Sequence, residues 1–196
     1  QFAQAKSAVA YGRIGVSTQT FGGLCHWLIN VLNAITGNLD EPGGAMFSLP
    51  AVDTIAAEGK RESFGSFDSY RSKARNLPEF GGELPVSALA DEILFQGEGG
   101  VRALITSAGN PVLSTPNGGK LAQALESLQL MVSIDIYLNE TTKYAHYILP
   151  PTSPLEHDHY DIVFNMLAVR NTARYSPPVF DPPAGTMHDW EIDRKS

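Results

Sequence analysis

Three stretches combine residue types and spacing suited to chemistry. In Thr106-Ser107-Ala108-Gly109-Asn110-Pro111, small residues let a ligand approach the backbone, and Asn110 offers both a donor and an acceptor. Asp135 ends an apolar run, where a carboxylate can accept from a ribose hydroxyl or from the paired N–H donors of a guanine edge. Leu155-Glu156-His157-Asp158-His159-Tyr160 is the densest titratable tract, and as a strand its His157 and His159 could present two nitrogens to one metal. Each also has a plainer reading. The first is then a strand-to-helix turn closed by Gly, Asn and Pro, the second a strand-end cap, and the third a surface loop lacking a third metal ligand nearby.

Much chemistry is excluded. No GxGxxG, GxSxG, Walker or HExxH pattern occurs, which removes direct support for nicotinamide binding and for the commonest hydrolases and ATPases. Cys25 is the single cysteine, so neither a disulfide framework nor an all-cysteine cage for zinc or an iron–sulfur cluster can be built here. On an apolar helix it is expected to be buried and inert, and neighbouring His26 to be a satisfied core or interface residue. With 21 acidic against 14 basic residues, a net charge of -7 and no basic cluster beyond Lys60-Arg61, a nucleic-acid partner is not expected. No stretch approaches the roughly 20 apolar residues of a membrane helix, and no signal peptide is readable, so a cytoplasmic location without membrane partners is expected. The lack of an initiating methionine and the polar ending Asp193-Arg194-Lys195-Ser196 fit a piece cut from a longer polypeptide, as trimming also would.

The elements that would position these residues follow from periodicity. Leu24, Trp27, Leu28, Val31, Leu32 and Ile35 recur at helical spacing and Gly37-Asn38 tolerates the left-handed C′ position, predicting a helix over Leu24–Thr36. From Asn38 to Leu84 the apolar period is lost, which reads as a long connection lying on a partner surface outside this chain. Pro85 opens a second helix through Val86, Leu89, Ala90 and Ile93. Val101–Thr106 reads as a buried strand, Leu121, Ala124, Leu125 and Leu128 as a helix stripe, and Leu130–Asp135 as a second strand, together a βαβ unit. A helical turn near Glu140–Ala145 and the run Tyr147–Leu149 add a crossover and a third parallel strand. A further strand is possible over Met166–Val169, with extended chain beyond Pro177. The fold class is therefore α/β, an open, mainly parallel sheet with helices on both faces, whose ligands bind outside the carboxyl ends of the strands.

Taken together, several phrases resemble the molybdopterin oxidoreductase family of formate dehydrogenases, nitrate reductases and dimethyl sulfoxide reductase. The most specific runs from Asp135 through Tyr137, Asn139-Glu140-Thr141-Thr142, Ala145 and Ile148-Leu149-Pro150 to Thr152-Ser153 and Glu156. Gly109-Asn110-Pro111 resembles the loop after the preceding strand, and Thr36-Gly37-Asn38 with Pro42-Gly43-Gly44 resembles a segment further upstream. Gly15-Val16-Ser17-Thr18-Gln19 is similar to the stretch touching the pterin side, and Asp189-Trp190-Glu191-Ile192 to the phrase following the cofactor domain.

The resemblance implies a dinucleotide-binding-like unit holding one of two molybdopterin guanine dinucleotides. By position, Asn110, Ile134, Asp135, His157 and Asp189 would lie along one guanine dinucleotide arm, with Gly109 and Glu156 in the adjoining phrases. Ile14, Gly15, Thr18 and Gln19 would lie nearer the pterin. Asp135 or Asp189 is expected to read guanine, while His157 stands where some members have lysine. The domains implied are 1–47, leading into the cofactor domain; 48–84, an irregular excursion; 85–176, the cofactor-binding core; and 177–196, an extended segment. The full enzyme would carry molybdenum-bis(molybdopterin guanine dinucleotide) and a 4Fe–4S cluster, and would meet a small substrate and an electron-transfer partner. This part would retain neither cofactor, catalyse nothing alone and have the remaining domains of its own polypeptide as partners. Two other readings are a free-standing regulatory nucleotide-binding domain and metal-dependent hydrolysis at His157 and His159. The excursion Ala51–Leu84 departs from the best-known members, leaving formate oxidation and nitrate reduction both open.

Overall fold

The computed structural model of the chain describes residues 1–53, 66–166, 168 and 170–195. Its helices are α1 (Ile14–Ser17), α2 (Gly22–Ile35), α3 (Leu89–Leu94), α4 (Pro111–Ser114), α5 (Gly118–Leu125), α6 (Ile162–Asn165) and α7 (Asp189–Lys195). Its strands are β1 (Phe67–Arg71), β2 (Pro78–Phe80), β3 (Ala103–Ser107), β4 (Leu130–Ile134), β5 (Tyr147–Leu149), β6 (His159–Tyr160) and β7 (Tyr175–Ser176). They fall into two compact units, one of residues 1–53 with 161–174 and one of residues 54–160 with 175–196.

The second unit contains the expected βαβ unit. β3, β4 and β5 pair in parallel in that order, with Leu104 opposite Met131, Ser107 opposite Ile134, and Ile134 opposite Leu149. Leu104 and Met131 face Ala90 and Ile93 of α3 and Leu121, Ala124 and Leu125 of α5, and this cluster is the hydrophobic core. On the same face the Thr106 and Ser133 hydroxyls hydrogen-bond at 2.8 Å, which removes the cost of burying Ser133 completely. At the opposite face Ile105 and Tyr147 are exposed, while Ser107 and Ile134, at the carboxyl ends, share a cavity with Asp189 of α7.

The crossover from β4 to β5 is a single 3-10 turn, Thr142–Tyr144, in the predicted place. The Asn139 side-chain oxygen accepts from the amides of Thr141 and Thr142, both at 2.9 Å, so a side chain supplies the nucleation that so short a turn lacks. His146 then fixes the register of β5, its Nδ1 accepting from the Met131 amide at 2.9 Å while its own amide donates to the Met131 carbonyl. The second predicted helix splits into a 3-10 turn, Val86–Ala88, and α3.

Within the stretch read as an irregular connection, β1 and β2 form an antiparallel pair. All five residues of β1 are exposed, so no inward stripe announces the strand. A polar anchor holds the pair instead. Glu79, 2% exposed, accepts from the Ser66 hydroxyl and from the amides of Ser69 and Gly82 at 2.9 and 2.8 Å. Glu92 of α3, also buried, accepts from the amides of Lys73 and Ala74 and ties the connection between β1 and β2 to the core helices.

In the first unit, α2 ends as predicted. Gly37 at φ 71° supplies the left-handed C′ residue, with Gly37 N–H donating to Ala34 O and Asn38 N–H to Asn33 O. Gly22 opens the helix because a Cβ there would meet the Ser17 carbonyl oxygen at 2.4 Å. Cys25 is half-buried rather than buried, and Gln19 Nε2 donates to its sulfur at 3.2 Å. The further strand considered over 166–169 is not seen at Met166, a turn after α6, and Leu167 and Val169 lie outside the described residues.

Two outcomes follow. Leu125→Ala, removing a side chain 1% exposed, should destabilise the chain by about 3 kcal/mol in denaturant unfolding, and a loss below about 1 kcal/mol would contradict the core assignment. The Ser66 hydroxyl, followed by the amides of Gly82 and Ser69, holds Glu79 below its ordinary value of 4.5, so its stabilising contribution is full above that pH and lost as pH falls through the lower folded value. In NMR titration the Ser69 and Gly82 amides should therefore move together with a midpoint below 4.5; a midpoint at or above it contradicts the anchor.

Candidate functional site

The carboxyl ends of β3 and β4 form a lip. β3 stops because Ala108 turns into the left-handed region at φ 48°, its amide donating to Ile134 O at 2.9 Å. That conformation strains a residue bearing a Cβ. The next two amides, of Gly109 and Asn110, have no hydrogen-bond partner among the described residues, and consecutive free amides at such a turn suit an anion.

Asn110 is the brace of the lip. Its Nδ2 donates to Glu140 Oε2 at 2.6 Å, and its Oδ1 accepts from the Thr141 hydroxyl at 2.7 Å. Thr141, fully buried, also accepts from the Val112 amide, so the loops after β3 and β4 are joined through one hydroxyl. The Asn110 amide beside Glu140, with the residue's own N–H and the Lys143 ammonium, holds the Glu140 carboxyl below the usual range. Glu140 and Thr141 appear in the phrase carrying the family resemblance, but their bonds to Asn110 bridge about thirty residues and leave no local pattern.

Asp135 lies on the same side of the sheet as this brace, and a cavity of about 420 Å³ is lined by Gly109, Asn110, Asp135, Tyr137 and Asn139 among others. Its carboxylate is 8% exposed as a residue and is already engaged: Oδ1 accepts from the Tyr137 amide at 2.9 Å and Oδ2 from Asn139 Nδ2 at 3.3 Å. The cap reading of Asp135 is thus what the geometry displays.

A neighbouring cavity of about 140 Å³ is lined by Ser107, Ile134, Asp135, Thr152, His157 and Asp189 with others. Asp189 starts α7 and is exposed, with Oδ1 accepting from the Trp190 amide at 2.9 Å and no partner for Oδ2 among the described residues. The start of α7 is held by Glu191, which accepts from the His188 amide, and by Thr152, whose hydroxyl hydrogen-bonds His188 Nδ1 at 2.7 Å. His188 stacks on Trp190 with ring centroids 4.3 Å apart, and His157 sits edge-on to both. Sequence reasoning missed Thr152, His188 and Trp190 as parts of this site. Trp190, adjoining Asp189 in an otherwise polar stretch, was the available signal.

Glu156 stands apart, accepting from the Ser153 amide and lining a different cavity of about 490 Å³ with Leu149, Pro183 and Ile192. His159 pairs in β6 opposite Ser176, and no group of three His, Cys, Asp or Glu that could hold a metal exists among the described residues. Ile14, Gly15, Thr18 and Gln19 belong to the first unit. Ile14 is exposed, Gly15 has open space where a Cβ would be, and Thr18 caps α1 through its amide. The Gln19 side-chain oxygen accepts from the Phe21 amide at the start of α2.

The donor set of the second unit suits a nucleotide: two free amides for phosphate, a cluster of rings, and a carboxylate oxygen with no partner. No helix among the described residues is long and apolar enough to cross a membrane. Residues 2–195 match the sequence profile of the family described as Molybdopterin oxidoreductase. The chain is 26% identical to the assimilatory nitrate reductase catalytic subunit of Bacillus subtilis, over 98% of the chain and 28% of that protein. It is 26% identical to a thiosulfate reductase molybdopterin-containing subunit of Salmonella typhimurium, over 84% of the chain and 23% of the relative. With a formate dehydrogenase alpha subunit of Methanococcus maripaludis it shares 25% identity, over 82% of the chain and 24% of that subunit. The chain spans about a quarter of the length of these curated relatives. A profile matched over almost every residue makes the assignment: the chain belongs to the molybdopterin oxidoreductase family.

Proposed function

We propose that the second unit grips one guanine dinucleotide arm of a molybdenum-bis(molybdopterin guanine dinucleotide) cofactor, and that these 196 residues catalyse nothing alone. The observation that carries this reading is the meeting of Asp135 and the open carboxylate of Asp189 on one cavity at the carboxyl ends of parallel strands. The free amides of Gly109 and Asn110 stand at the same strand ends. Bound, the cofactor supplies two-electron chemistry at molybdenum and exchange with a 4Fe–4S cluster housed elsewhere in the enzyme.

The residues then divide the work. The amides of Gly109 and Asn110 take a phosphate, where negative charge offsets their unpaired N–H groups. Asp189 reads guanine, because N1–H and N2–H need acceptors and its Oδ2 has no competing donor, whereas both oxygens of Asp135 already hold the turn after β4. Asp135 is therefore a positioning residue. His157, beside Trp190, supplies an edge against the nucleotide. Ile14, Gly15, Thr18 and Gln19 serve the pterin side. The whole enzyme acts on a small substrate, formate or nitrate by analogy with its relatives, passing electrons to a partner when it oxidises formate and drawing them from one when it reduces nitrate.

Calorimetric titration of the chain should show GDP binding more tightly than ADP, with Asp189→Asn removing the preference. Losing one charge-assisted contact of about 1.5 to 3 kcal/mol corresponds to roughly a tenfold to hundredfold loss of affinity. In the full-length protein the same variant should lower both molybdenum content and the GMP released on acid hydrolysis. Equal GDP and ADP affinity together with normal cofactor loading of the variant would refute the reading.

A further inference from the structure

We infer that α2 is an interface helix, and that its outward stripe of Leu24, Trp27, Leu28, Leu32 and Ile35 is covered by an apolar surface of the same polypeptide lying outside these 196 residues. The inference rests on the reading above, in which the chain works inside an enzyme of family length. α2 is turned inside out relative to an ordinary amphipathic helix. Its inward side is held mainly by polar groups: Asn33, 1% exposed, donates to Ala10 O and accepts from Ala10 N–H, both at 2.9 Å, and His26 Nε2 meets the Ser17 hydroxyl at 2.8 Å, while Ile29 beside them is only half-buried, against Gly12. Its apolar side is uncovered by the first unit, with Trp27 61% and Ile35 75% exposed.

Nothing else in the unit compensates. Every buried hydrophobic residue of the described chain belongs to the second unit, and among the described residues of 1–53 and 161–174 only Gly22 and Asn33 are buried. A contiguous apolar stripe of this extent marks a contact surface. α2 contains no Asp, Glu, Lys or Arg, so the surface that covers it needs no charged partner group, as in obligate contacts. The relatives supply the occupant, since the chain covers 28% of one and 23% of another, and most of the polypeptide surrounding the matching segment lies beyond it.

Hydroxyl-radical footprinting read by mass spectrometry tests this on two samples, the 196-residue chain and the full-length polypeptide. Trp27 oxidation should fall roughly tenfold in the full-length protein, about the ratio between a side chain 61% exposed and a buried one. Equal rates in both samples overturn the inference. So does protection already present in the short chain that grows with concentration in sedimentation velocity and disappears in Leu28→Glu, because the occupant is then a second copy. In the full-length protein Leu28→Glu should lower the soluble yield while Leu28→Met preserves it; a soluble Leu28→Glu protein with Trp27 still protected also overturns it. GDP titration reads the function separately. Guanine preference with an exposed Trp27 defeats only this inference, and a protected Trp27 without guanine preference supports it while defeating the cofactor reading.

Discussion

The site depends on one constraint, the in-register parallel pairing of β3 with β4. Because side chains alternate along a strand, a slip of β4 by one residue would move Met131 out of the core and turn Ile134 to the wrong face. Register also determines which loop ends meet. Ser107 lies opposite Ile134, so the turn beginning at Ala108 starts beside the turn beginning at Asp135, and Ala108 donates to the Ile134 carbonyl across the gap. The core formed by α3 and α5 on Leu104 and Met131 is what holds that register. Stability and site geometry therefore have a common origin in this unit.

The polar groups of the lip divide between those that build it and those left open. Asn110, Asp135, Asn139, Thr141 and Thr142 are consumed by one another, by Glu140 and by nearby amides, at distances between 2.6 and 3.3 Å. Such saturation is what a loop region needs if it is to stay rigid without a hydrophobic core of its own. The groups left open are different ones: two backbone amides after β3 and one oxygen of Asp189 at the start of α7. A side chain chosen from sequence as a candidate ligand contact can thus also brace the loops around it.

The legible part of the fold was the part whose information is local. The apolar run of β4 and the stripe Leu121, Ala124, Leu125 sit on opposite sides of one core, and their period alone locates the sheet. β1 escaped because it is exposed along its length and is held by a carboxylate eight residues beyond its end. Asp135 was found as a residue, but its occupation by Tyr137 and Asn139 depends on how the next turn folds. The three-ring cluster was hidden by distance, since His157 and Trp190 lie thirty-three positions apart and meet only when α7 returns to the strand ends.

α2 shows the limit of periodicity from the other side. Its stripe predicts a helix and its capping glycine predicts the end, and both are present. Periodicity identifies an apolar face but not what that face meets. In the second unit the stripe of α5 finds Met131 and the question never arises. In the first unit the buried contacts of α2 are made by Asn33 and Gly22, so local pattern and local packing point in opposite directions. A helix whose burial contradicts its hydrophobic pattern breaks the agreement between local pattern and packing that a self-contained unit shows, and in a chain that spans about a quarter of its relatives' length that contradiction is the ground for the interface proposed for α2.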